Sequence, residues 1–122
     1  MDGRRTLAIA GLLLALATVC GAFGAHALRT LPAERLQVYE TAVRYHFFNS
    51  LGLLGIGLAL RSVDAALLKW SAALLLIGIV LFSGSLYALT FGAPRALGAV
   101  TPIGGVALIA GWLAFAACFL RL

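Results

Sequence analysis

The chain alternates long apolar runs with short polar breaks. Thr6 to Leu28 carries no formal charge. Tyr45 to Leu60 is a second uncharged run, Trp70 to Pro94 a third and Ala96 to Leu120 a fourth. Runs of this kind read as membrane-spanning helices. The second covers only about 24 Å of a roughly 30 Å hydrocarbon core, at about 1.5 Å rise per residue. The residues before it lengthen it. Pro32 suits a first helical turn, with Glu34 behind it to complement the helix dipole. Glu40 and Arg44 stand at i,i+4 spacing in the favourable order, and Leu36, Tyr39, Val43 and Phe47 form one apolar stripe. The pattern predicts an all-α membrane protein with four transmembrane helices, at about 5–27, 32–60, 65–91 and 95–120, in an up-down-up-down bundle. The second helix is extended at its start by an amphipathic segment, and residues 1–122 form a single domain. Arg4 and Arg5 before the first run resemble the n-region of a signal peptide. That run is long for an h-region and three more follow it, so a retained helix is the better reading.

Composition agrees with the pattern. Of 122 residues, 63% are from the set AVILMFWYC and 11% are charged, with a mean hydropathy of +1.08. A soluble fold carries about a quarter charged residues and needs a polar coat that this chain cannot supply. An ordinary soluble domain, a disordered chain and a nucleic-acid module are excluded.

The net charge is +5. A nucleic-acid reader gathers its cations into a patch, whereas these stand at or near the ends of apolar runs, where they anchor helices among headgroups. Arg4, Arg5, Arg61, Lys69 and Arg121 fall on the side holding both termini, here side A; Arg29, Arg35, Arg44 and Arg95 fall on side B. This slight excess, with the amino terminus, favours cytoplasmic termini in a cell (inner) membrane. The two cysteines, Cys20 and Cys118, sit at different depths and are expected to pack rather than pair.

Lipid tails are as apolar as leucine, so helices associate through close packing and hydrogen bonds between helices. The 14 glycines matter for this reason. Ala8, Gly11, Ala15, Thr18, Ala22 and Ala25 form a small-residue stripe on the first helix. Thr41, Tyr45, Asn49, Gly52, Ile56 and Ala59 share a face of the second, and Thr101, Gly104, Leu108, Gly111 and Phe115 a face of the fourth. These faces are expected to meet, with Gly21, Gly24 and Gly84 as further packing positions. Pro102 frees the carbonyl of Gly98. Either it kinks the fourth helix, or the helix proper begins near Thr101 after a partly unwound stretch. Trp70 and Tyr87 are candidates for opposite aromatic belts. Phe23-Gly24-Ala25 and Phe91-Gly92-Ala93 are a short repeat best ascribed to chance.

Polar residues within the runs collect on side B. They are His26 and Arg29 ending the first helix, and Tyr39, Glu40, Arg44, Tyr45, His46, Asn49 and Ser50 starting the second. Ser83, Ser85, Tyr87 and Thr90 end the third, and Arg95 and Thr101 start the fourth. The side-A half is almost purely apolar. Such groups pair with one another or line a cavity. They are either a hydrogen-bonded clamp across four helix ends or a site for a small molecule, a lipid headgroup or a proton. The candidate pocket comprises His26, Arg29, Glu40, Arg44, Tyr45, His46, Asn49, Ser83, Ser85, Tyr87 and Thr101. Two histidines with Glu40 alone nearby fall short of a metal site, and no cofactor motif occurs. Ser83-Gly84-Ser85 lacks the strand-turn-helix setting of a nucleophile elbow.

Gly21-Ala22-Phe23-Gly24-Ala25-His26-Ala27-Leu28, Leu81-Phe82-Ser83-Gly84-Ser85-Leu86-Tyr87 and Thr101-Pro102-Ile103-Gly104-Gly105, with Gly111-Trp112, carry a resemblance over nearly the whole chain. It is to the small inner-membrane proteins of domain of unknown function 423, which have eukaryotic relatives. Bacterial members often carry Tyr-Gln, an aromatic and His in the second helix. Here the stretch reads Tyr45-His46-Phe47-Phe48-Asn49, a polar pair with its members exchanged. The resemblance implies a four-helix membrane protein and no particular activity. The residues themselves favour a non-enzymatic protein whose polar cluster binds a lipid headgroup or a partner helix. The alternatives are an oligomeric small-solute or ion transporter or channel, and a membrane enzyme using a histidine as acid or base. The expected partners are the lipid bilayer and a homo-oligomer or larger membrane complex, with no nucleic acid.

Overall fold

The computed structural model describes all residues from Met1 to Leu122. The chain is helical throughout: α1 (Gly3–His26), α2 (Ala33–Leu60), α3 (Ala66–Thr90), a 3₁₀ turn (Arg95–Ala99) and α4 (Val100–Leu120). Local chemistry sets several ends. Asp2 caps α1, its Oδ1 accepting the Arg5 backbone N–H at 2.8 Å. That bond holds the Asp2 carboxyl below its usual pKa. Gly92, with φ +95°, follows the last turn of α3. The Ala93 N–H reaches back to the Ala88 carbonyl and the Gly92 N–H to that of Leu89, a Schellman stop that a side chain at position 92 would strain. Pro94 follows. Gly24, by contrast, lies within α1 against Tyr39, so the two Phe-Gly-Ala segments do different work.

The 3₁₀ turn settles the choice that Pro102 poses. The regular helix starts at Val100, so Pro102 falls in its first turn, where a missing N–H interrupts no established ladder.

Neighbouring helices run antiparallel. Gly3 abuts Gly57 and Gly24 abuts Tyr39, at opposite ends of the α1–α2 contact. Extensive packing joins α1 to α2, α2 to α3 and α3 to α4, and none of similar extent joins α1 to α4. The helices form an open, curved row rather than a closed ring. Its core is Leu53, Ile56, Leu68, Ala72, Leu75, Ile79 and Leu108, with Ala10 and Cys118. Both cysteines are free.

Close approach is concentrated where glycine permits it. A Cβ at Gly104 would strike the backbone of Leu81 and Phe82, and one at Gly111 would come within 3.1 Å of Leu75. The α4 stripe thus meets α3. Gly52 makes room for the Trp112 ring. The stripe expected on α1 is a correction. Ala8, Gly11, Ala15, Thr18, Ala22 and Ala25 are exposed, and α1 buries Gly3, Thr6, Ala10 and Ala17 instead. Gly11 and Gly84 touch no neighbouring helix. Many α1 residues are small, so several of its faces carry small-residue spacing, and only the partner's shape selects one.

α1, α3 and the Arg95–Leu120 segment are long and apolar enough to cross a membrane. α2 is the longest helix, but Arg44, Tyr45, His46, Asn49 and Ser50 dilute its apolar character. Three of these, His46, Asn49 and Ser50, are buried against the protein.

Candidate functional site

The side-B polar residues separate into two groups with different surroundings. The first is a buried set of hydrogen bonds between helices. Tyr39 of α2 donates its hydroxyl to the Cys20 carbonyl of α1. His46 Nδ1 lies 2.8 Å from the Tyr87 hydroxyl, joining α2 to α3. Ser83 donates to the Ala42 carbonyl at 2.8 Å. Ser85 and Thr101 pair their hydroxyls at 2.5 Å, joining α3 to α4. Trp112 Nε1 donates to Asn49 Oδ1 at 3.0 Å, and the Asn49 amide in turn donates to the Tyr45 carbonyl at 2.9 Å. Every helix is tied to another by at least one side chain. In a setting without water such pairing is what permits polar groups at depth.

Aromatic rings fill the spaces between these bonds. Tyr39 and Tyr87 have ring centroids 5.5 Å apart, and Tyr87 meets His46 edge to face at 5.9 Å. Tyr87 therefore faces inward, held by His46 and Tyr39, and is not an interfacial belt residue; Trp70, 65% exposed, is free to be one. Two buried polar atoms lack a partner, His46 Nε2 and Ser50 Oγ. The side-A half also holds one such bond, Ser71 to the Gly111 carbonyl at 2.8 Å, so it is not purely apolar.

The second group surrounds a cavity of about 420 Å³ between the end of α1 and the start of α2. Its floor is apolar, made by Gly21, Gly24, Ala25, Leu36 and Val43, with the Tyr39 ring. Its charged members are Arg29, Glu40 and Arg44, all exposed. Glu40 and Arg44 make no ion pair despite their spacing; the ion pairs of the protein are Arg5–Asp2 and Lys69–Asp64. Arg29 Nε makes one long bond, 3.4 Å, to the His26 carbonyl.

The single pocket expected from the sequence is thus divided. His46, Asn49, Ser83, Ser85, Tyr87 and Thr101 belong to the buried bonds; Arg29, Glu40 and Arg44 line the cavity. The Tyr45 side chain lies outside both, its ring 4.9 Å from that of Phe82 and open to the surroundings. His26 is exposed at the end of α1 and outside the cavity lining, whereas His46 is only 2% exposed. One ring is at the surface and the other in the interior, which leaves a shared histidine acid–base site without support. No group of three or more His, Cys, Asp or Glu side chains is placed to hold a metal. Sequence reasoning missed Trp112 as a polar partner and the glycine floor as part of a cavity. The signal for the first was present, since an indole N–H within an apolar run needs an acceptor.

Comparison with known proteins bears on this arrangement. The profile of the family described as "Protein of unknown function (DUF423)" matches residues 20–105. The chain belongs to the DUF423 family. Among its relatives is a UPF0382 membrane protein of Staphylococcus saprophyticus, 49% identical over 76% of this chain and 78% of the relative. The UPF0382 membrane protein YwdK of Bacillus subtilis is 45% identical, over 80% of this chain and 81% of its own. The UPF0382 inner membrane protein YgdD of Escherichia coli K12 is 42% identical, over 75% and 71%. No solved structure matches. The DUF423 match contains every residue lining the cavity and every buried side-chain bond described above except those of Trp112 and Gly111. This DUF423 chain is an integral membrane protein with an all-helical fold.

Proposed function

We propose that the protein is a non-enzymatic membrane protein of four spans that holds a phospholipid headgroup in the α1–α2 cavity. The observation that carries this is the cavity's chemistry. Two guanidinium groups without ion-pair partners stand over an apolar floor, at the end of a helix apolar enough to cross a bilayer. That is the polarity profile of a phospholipid at the interface: charge outside, hydrocarbon within. The four-span reading is supported by the antiparallel contact of α2 with α1 from Tyr39 to Gly57, nearly the full length of α1. A helix paired along its neighbour's length crosses where the neighbour crosses. The weak cation excess on side A supports cytoplasmic termini.

Native mass spectrometry of the full chain, extracted gently, tests the reading. Wild type is expected to retain phospholipid, and Arg29→Gln with Arg44→Gln to lose it. A wild-type chain that retains none, while still helical by circular dichroism, would overturn the proposal.

A further inference from the structure

We infer that the headgroup in this cavity is that of an aminophospholipid: a phosphodiester bearing a primary ammonium. The inference rests on the lipid reading above and sharpens it. It comes from the cavity's third charge. Arg44 and Glu40 stand one turn apart on α2, a spacing at which opposite charges ordinarily neutralise each other, yet neither is ion-paired. Arg29 faces the same space from the end of α1.

A ligand of one sign satisfies only part of this set. A simple anion, such as inorganic phosphate or the phosphodiester of phosphatidylglycerol, pairs with the guanidinium groups. It also sets a second negative charge beside Glu40, where the reduced dielectric of the interface strengthens the repulsion. A zwitterion satisfies all three. Its phosphate oxygens accept from the two arginines, whose planar donors suit an oxyanion. Its ammonium, a short linker away, donates to the Glu40 carboxylate. A choline headgroup carries the same charges but no N–H, so it makes no hydrogen bond to Glu40. Beneath the charges, Gly21, Leu36 and Val43 give the cavity an apolar lining suited to an acyl chain, while the Tyr39 ring packs on Gly24.

The test is lipid competition on the full chain. Protein is reconstituted in nanodiscs of equal phosphatidylethanolamine, phosphatidylglycerol and phosphatidylcholine, and the lipid retained after release is weighed by native mass spectrometry. Phosphatidylethanolamine is expected to be retained about tenfold over each of the others, the worth of one charge-assisted hydrogen bond. Glu40→Gln is expected to abolish that preference while phospholipid is still retained. Equal retention of the three lipids by wild type, or an unchanged preference in Glu40→Gln, overturns the aminophospholipid assignment and leaves the lipid reading standing. No retention of any lipid by wild type overturns both. The wild-type comparison decides the matter even if the variant fails to fold.

Discussion

The Trp112 indole lies against Gly52 and donates its N–H to Asn49, one turn earlier on the same helix. The two contacts act together, because the ring reaches the amide only where position 52 has no side chain. They also join α4 to α2, helices with no extensive packing of their own.

Replacing Trp112 by Phe is expected to lower stability by about 1 kcal/mol, the scale of a hydrogen bond between helices in a membrane. The Asn49 carbonyl would be left without its partner at depth. Adding Asn49→Leu removes the orphaned group and is expected to recover part of the loss. Unfolding in mixed micelles, followed by circular dichroism in a double-mutant cycle, measures both effects.

Glycines that look alike in the sequence are expected to differ sharply on substitution. Gly104→Ala pushes a methyl into the Leu81–Phe82 backbone and is expected to cost about 1–3 kcal/mol through overpacking. Gly11→Ala meets nothing and is expected to be neutral, or to stabilise by about 0.5–1 kcal/mol through helix propensity. Thermal unfolding of the two single variants in the same detergent separates them.

Tyr87→Phe is expected to destabilise more than a lost surface contact would. His46 Nε2 already lacks a partner, so losing the Tyr87 hydroxyl leaves both ring nitrogens unpaired in a buried site. The expected cost is about 1–3 kcal/mol. Adding His46→Phe, which removes the stranded imidazole, should cost less than the sum of the two single changes. Denaturant titration of the four proteins in the cycle gives the answer.

Asp2 gives a pH dependence at the start of α1. Its folded pKa is lowered, chiefly by the Arg5 backbone N–H, from an ordinary value of 3.8. A depressed carboxyl contributes stability above its unfolded pKa, and that contribution is lost as pH falls through the folded pKa. The first turn of α1 should therefore fray only below about pH 4. An NMR titration of the Asp2 carboxyl carbon is expected to show a midpoint below that of the same residue in a short unstructured peptide.

Helix number and the side-B gathering of polar residues were legible because each is a property of position along the chain. Runs without charge locate apolar helices, and antiparallel threading carries residues such as Asn49 and Trp112 to similar depth. The division of that gathering into buried bonds and a charged cavity was not legible. It depends on rotation about each helix axis, which the sequence expresses only weakly when most residues are apolar. Thr18 and Thr6 look equivalent by composition, yet the first is exposed and the second buried. Tyr87 turned inward because His46 offered its hydroxyl a partner, a pairing across 41 positions. Gly11 fell on the wrong face because alanines and glycines recur on several faces of α1.

The open row of helices bears on how the chain is made. Each new helix finds its main docking surface on the helix synthesised just before it, so packing can follow the order of emergence from the ribosome. α1 and α2 can settle as a hairpin, α3 can add to α2, and α4 to α3. Trp112 alone donates back past its immediate predecessor, to Asn49, once α4 is in place. Assembly then ends with a latch rather than with the closing of a ring.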